Sequence, residues 1–146
     1  MRSAPERIEI KDLTQIAVMR QAGLVVARAL RLMGEAAVPG ASTADLDAIA
    51  RDVLRDAGAT SSFLHYDIGA GPYPAVICAS VNDRIVHGIP AADEKLADGD
   101  IISIDFGAIV DGWHGDAAIT ALVGDVSDQA RALSAACERS LWAGLA

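Results

Sequence analysis

The chain has 146 residues, 52% hydrophobic but only 4% aromatic, and a formal net charge of −8. That length suits one domain with a core of Ala, Val, Ile and Leu, and the acidity, without any Lys/Arg cluster, leaves nucleic-acid phosphates nothing to land on. No apolar run reaches the roughly 18 residues a membrane span needs, and the charged start MRSAPERIEIKDL has no secretory apolar stretch, so a cytoplasmic protein is expected.

Residues 1–11 read as a charged, partly extended lead. Asp12 precedes Leu13 with Gln15 three residues on, a helix-start pattern close to a capping box. Ile16, Met19, Gly23, Val26, Leu30 and Met33 follow helical spacing, which predicts a helix over residues 13–36, stopped by Pro39-Gly40. Ser42, with Asp45 three residues later, opens a second helix carrying Leu46, Ile49, Val53 and Leu54 and closed by Gly58. Beyond it, TSSFLHYDIGAGPYPAVICAS mixes extended pieces with a Gly/Pro-rich loop over residues 69–74. Residues 75–81 read as a strand and 84–86 as a short extended return.

The segment IISIDFGAIVDGWHGDAAITALVG alternates apolar and polar residues on both sides of Asp111-Gly112, a strong signal for a two-residue hairpin. With that turn, Val110 faces Trp113, Ile104 faces Ile119, Ile102 faces Ala121 and Phe106 faces Ala117, which makes one apolar face. Ser103 faces Thr120, Asp105 faces Ala118 and Gly107 faces Asp116 on the other. Asp105 and Asp116 therefore project from one side, diagonally across the ladder, with backbones roughly 7–8 Å apart. Carboxylates so placed can bracket one or two cations, and without a cation their like charges repel. Spacing alone leaves open a solvated face with two ordinary surface acids, since a longer turn would slip the register. His114 pairs with Ile109 and is expected to point to the face opposite Asp116, as a structural residue. His87, held between a short apolar stretch and a Gly-Ile-Pro turn, reads by itself more simply as a hydrogen-bonded structural histidine than as a functional one. His65 carries no motif.

Ser127 can cap a last helix with apolar positions at Ala130, Leu133, Cys137, Leu141 and Leu145. Cys78 and Cys137 fit no zinc or redox spacing, and Cys137 is expected to be a small buried hydrophobe on that helix. The helix meets no stop signal before Ala146, so the pattern is expected to belong to a longer chain.

Residues 81–90, VNDRIVHGIP, and residues 96–120, LADGDIISIDFGAIVDGWHGDAAIT, closely resemble the bacterial type of methionine aminopeptidase. The matching motifs are Ser80-Val81-Asn82, His87-Gly88-Ile89-Pro90, Asp98-Gly99-Asp100, Ile104-Asp105 and the run from Asp111 to Asp116, in the family's order and spacing. The resemblance covers only the first half of such an enzyme, so residues 1–146 are expected to form a partial domain. It implies the α/β (α+β) pita-bread fold, here a helix pair, a curved antiparallel sheet with the Asp-bearing hairpin, and a C-terminal helix. Such enzymes bind two divalent ions (Co, Mn, Fe(II), Zn or Ni) through two Asp, one His and two Glu. Asp105 and Asp116 match the two Asp, Asp116 at the bridging position; the His and both Glu belong to the second half. The His of the HGIP motif, His87 here, contacts the scissile amide. By the same resemblance Cys78 lines the pocket for the methionine side chain. Tyr66 and Tyr73 are both candidates for its other wall, because HYDIGAGPYP is longer than the family's compact loop.

The implied reaction is metal-dependent removal of N-terminal methionine from nascent proteins. The implied partners are N-terminal peptides, met near the ribosome, with no nucleic acid and no membrane. With two of five ligands the chain is expected to be inactive by itself. The alternatives are a non-catalytic binding or scaffold module of the same fold, or a relative of the X-Pro peptidases.

Overall fold

A computed structural model describes residues 8–67, 69 and 71–146. Helix α1 spans Leu13–Ala36, and α2 spans Thr43–Ala57. Each starts in a complete capping box, in which Asp12 exchanges hydrogen bonds with Gln15 and Ser42 with Asp45. Each box satisfies amide donors that a helix start otherwise leaves unpartnered. Gly58, with φ +62°, takes the left-handed conformation that ends α2. Strands β1 (Thr60–Ser61), β2 (Ile77–Val81), β3 (Ile101–Val110) and β4 (Trp113–Leu122) follow, then α3 (Asp128–Leu145). The expected strand over 75–81 is thus two residues shorter at its start. The lead expected over residues 1–11 lies partly outside the described residues, as does part of the loop over 69–74.

The sheet is antiparallel and centred on β3. One edge of β3 pairs with β4 along its whole length, and the other pairs with β2 and, near its end, β1. The hairpin register is the expected one, from Val110 opposite Trp113 to Ile101 opposite Leu122. Asp111 and Gly112 have φ of +47° and +82°, the left-handed pair that a tight primed turn demands and that Asp-Gly supplies.

Alternation then sorts the side chains. Ile102, Ile104, Phe106, Ile77 and Ala79 share one face, where Val26, Leu30 and Met33 of α1 and Leu46, Ala50 and Val53 of α2 pack against them. Gly115, on this face of β4, lets α1 come close: a Cβ there would sit 2.6 Å from the Ala22 carbonyl carbon and the Gly23 nitrogen. The opposite face carries Ser103, Asp105 and Gly107, and Cys78 lies opposite Asp105. A second small cluster of Tyr73, Ala75, Cys78 and Phe63 covers part of it.

Asp47 of α2 ties these layers together. One of its carboxylate oxygens accepts the amides of Val76 (2.7 Å) and Ile77 (3.3 Å), and the other accepts Arg51 Nε at 2.6 Å. The start of β2 is thereby hung from a buried charge whose own partners neutralise it.

Two expectations fail. Residues 84–86 form no strand; Arg84 closes a turn onto Val81, and Val86 and His87 have φ of +36° and +53°. The chain has to double back onto the outer edge of β2 within a few residues, which an extended segment cannot do. Cys137 is exposed rather than buried. Among the described residues α3 buries no side chain, and Leu133, Leu141, Trp142 and Leu145 are all more than half exposed. The apolar stripe was legible, but no element packs over it.

Replacing Asp47 with Ala should destabilise the fold by on the order of 2–3 kcal/mol, because two buried amides lose their acceptor. The urea midpoint, read by circular dichroism at neutral pH, checks this.

Candidate functional site

Because Asp105 lies opposite Ala118 and Gly107 opposite Asp116, both carboxylates stand on the face of the sheet away from the helices. Gly107 makes room for them. A Cβ at that position would fall 2.8 Å from Asp116 Oδ2, 2.8 Å from Ser62 Cβ and 2.9 Å from Ser62 Oγ. The missing side chain is therefore the space that Asp116 and Ser62 occupy. The β2 register sets Cys78 beside Asp105, and the chain between β1 and β2 wraps over the top. Together they enclose an open cavity of about 370 Å³ lined by Asp105, Asp116, His87, His114, Cys78, Ser62, Phe63, Tyr66 and Tyr73.

All six residues singled out from the sequence thus meet at one cavity. The two tyrosines differ in kind. Tyr73 is buried (3% exposed), whereas Tyr66 is 68% exposed at the rim. Both line the wall.

His114 requires a correction. It was expected on the face opposite Asp116, but it lines the same cavity, with Nδ1 3.0 Å from Ser62 Oγ. Residues 114 and 116 are two apart on one strand, and positions i and i+2 share a face. The pairing of His114 with Ile109 was right; the face inferred from it was not. Ser62, Phe63 and Gly107 had no sequence signal of their own. Gly107 could have been found by asking which residue opposes Asp116 in the register.

The electrostatics follow from putting two like charges in a half-closed space. Burial pushes the Asp105 carboxyl above the usual carboxylate range, Asp116 adds repulsion, and His87 and the Phe106 amide oppose the shift. Burial raises Asp116 too, and His114 works against it. The Cys78 thiol is also pushed up, first by burial and then by both aspartates, with the Tyr73 hydroxyl opposing. Cys78 is thus a neutral thiol at physiological pH, a soft wall rather than a nucleophile. Burial likewise keeps the Tyr73 hydroxyl protonated. His87 is presented from strained backbone, since it and the β-branched Val86 both have positive φ.

A carboxyl raised in the folded state binds protons that the unfolded chain has already released. Stability is therefore lost as pH rises from the ordinary Asp range through the raised folded value, and the loss is complete above it. Asp105→Asn removes this penalty. In a cation-free buffer its urea midpoint should exceed that of the parent chain at pH 7, and the gain should vanish near pH 3, where both states carry a neutral group.

Comparison with known proteins places this arrangement. The family model described as Metallopeptidase family M24 matches residues 17–146. Methionine aminopeptidase 1 of Mycobacterium tuberculosis is 57% identical over 132 residues, covering 90% of this chain and 48% of that protein. The crystal structure of methionine aminopeptidase from Thermotoga maritima superposes with a TM-score of 0.82 at 34% identity, over 88% of this chain and 50% of that one. An Xaa-Pro dipeptidase from Bacillus anthracis superposes less closely, with a TM-score of 0.68 at 25% identity over 84% of this chain and 32% of that one. The chain spans about half the length of the methionine aminopeptidases it matches. Its helices and antiparallel sheet are those of the first half of the pita-bread fold. The chain belongs to metallopeptidase family M24.

Proposed function

We propose that residues 1–146 are the first half of the catalytic domain of a methionine aminopeptidase, which removes the N-terminal methionine from newly made proteins. Two carboxylates on one face of a register-locked hairpin, beside a cavity walled by a thiol and aromatic rings, carry this reading. Membership of a metallopeptidase family implies use of a divalent metal. Hard carboxylate oxygens suit such a cation, and a cation would relieve the repulsion between Asp105 and Asp116. Among the described residues no group of three or more His, Cys, Asp or Glu side chains could hold a metal, so the aspartates form part of a ligand set.

In this reading Asp105 and Asp116 would hold the divalent ions. Two carboxylates do not select among Co, Mn, Fe(II), Zn and Ni. Bound divalent ions would supply Lewis-acid polarisation of the amide and activate water near neutral pH. His87 donates a hydrogen bond toward the scissile amide, where negative charge develops. Cys78, Tyr73 and Tyr66 form the wall against which a methionine thioether packs. N-terminal peptides of nascent chains are the substrates, encountered in the cytoplasm near ribosomes. Among the described residues no helix is long and apolar enough to cross a membrane.

The closer superposition on methionine aminopeptidases than on the Xaa-Pro dipeptidase favours methionine over X-Pro substrates. A second reading, a non-catalytic binding module, draws on the partial ligand set. Calorimetric titration with Mn²⁺ tests the site: binding by the parent chain should be lost in Asp105→Ala/Asp116→Ala, and unchanged binding would remove the assignment. The 146-residue chain alone, given Co²⁺, Mn²⁺ or Fe²⁺, should leave a Met-Gly peptide uncleaved; robust turnover would refute the partial-set argument.

A further inference from the structure

The turn that carries His87 is tied back onto β2 through Gly88. Its amide donates to Ser80 Oγ at 3.2 Å, and its carbonyl accepts the Ala79 amide at 2.8 Å. The Tyr73 hydroxyl lies 3.0 Å from the same Gly88 carbonyl and 2.9 Å from the Ile77 carbonyl. Tyr73 and Ser80 are both buried, at 3% and 5% exposure. A side chain at residue 88 would be impossible, since a Cβ would fall 2.0 Å from the Ala79 oxygen. Immediately before this clamp, Val86 and His87 take left-handed backbone conformations that side chains other than glycine rarely adopt. A strained pair persists only where its surroundings over-determine it, and here the surroundings are the bonds to Gly88.

We propose that Tyr73 and Ser80 are positioning residues for His87: their hydroxyls grip the carbonyl and amide of Gly88 and so fix the direction of the imidazole at the cavity. Tyr73 then has two tasks. Its ring walls the cavity, and its hydroxyl ties the turn to the start of β2. The hydroxyl has one proton and two carbonyls in reach, so it is shared between Ile77 of β2 and Gly88 of the turn. This inference rests on the assignment of His87 to the site, but its test needs neither metal nor turnover.

The experiment compares the metal-free parent chain with Tyr73→Phe and Ser80→Ala by NMR. Each variant keeps the bulk of the side chain it replaces nearly intact. Amide exchange at Gly88 and Ala79 should quicken by roughly five- to tenfold in each, the loss of one buried hydrogen bond. The His87 ring resonances should shift or broaden, while the amides of Ile104 and Phe106 in β3 stay within about twofold of the parent. Three outcomes would overturn the proposal: no change at Gly88; a change at Gly88 that leaves the His87 ring signals untouched; or parallel acceleration at Ile104 and Phe106, which would mean Tyr73 supports only global stability. If one variant does not fold, the other carries the same readout. Loss of Mn²⁺ binding specificity, by contrast, would strike the metal-site reading and leave this result standing.

Discussion

Two carboxylates of the same sign stand on one face of a β-ladder, and the ladder leaves them no freedom to separate. Their spacing is set by ten consecutive pairs between β3 and β4 and by a two-residue turn. A slip by a single residue in that pairing would send one of them toward the helices, where Phe106 and Ile104 now lie, and part the pair. The apolar face therefore enforces the acidic one: the core stabilises the register, and the register holds the charges. What the fold gives up is visible in the raised proton affinity of both groups. The buried apolar cluster on the helix-covered side of the sheet offsets that cost.

Around this pair, the cavity is built by chain that belongs to neither strand. The segment between β1 and β2 supplies Ser62, Phe63, Tyr66 and Tyr73, and the turn after β2 supplies His87. These pieces have little regular structure, so their positions depend on a few polar anchors: Asp47 beneath the start of β2, Ser62 against His114, and Gly88 against Ser80 and Tyr73. None of the buried side-chain nitrogen and oxygen atoms among the described residues lacks a hydrogen-bond partner, which is what irregular chain over a charged site requires.

How much of this could be read from the residues depends on the range of the interaction. The capping boxes, the Gly58 stop and the Asp-Gly hairpin are local, and the sequence carried them almost to the residue. Faces follow from parity along a strand, so the residues alone carry the shared side of Asp105 and Asp116, and that of His114, two positions before Asp116, with them. Ser62 and the reversal at residues 84–88 were not legible, because they depend on contacts between segments distant in sequence. Cys137 shows the opposite limit: an amphipathic stripe predicts a helix that could be buried, but not whether anything covers it.

Gly115 sits between the two site residues of β4, facing the other way. Its bareness lets α1 approach until backbone meets backbone at Ala22 and Gly23. The strand there acts as a thin partition, with helix on one side and chemistry on the other. Any bulk added at that position would work like a wedge under a plank, tilting His114 and Asp116 together. The geometry of the acidic pocket is thus answerable to a residue that never touches it.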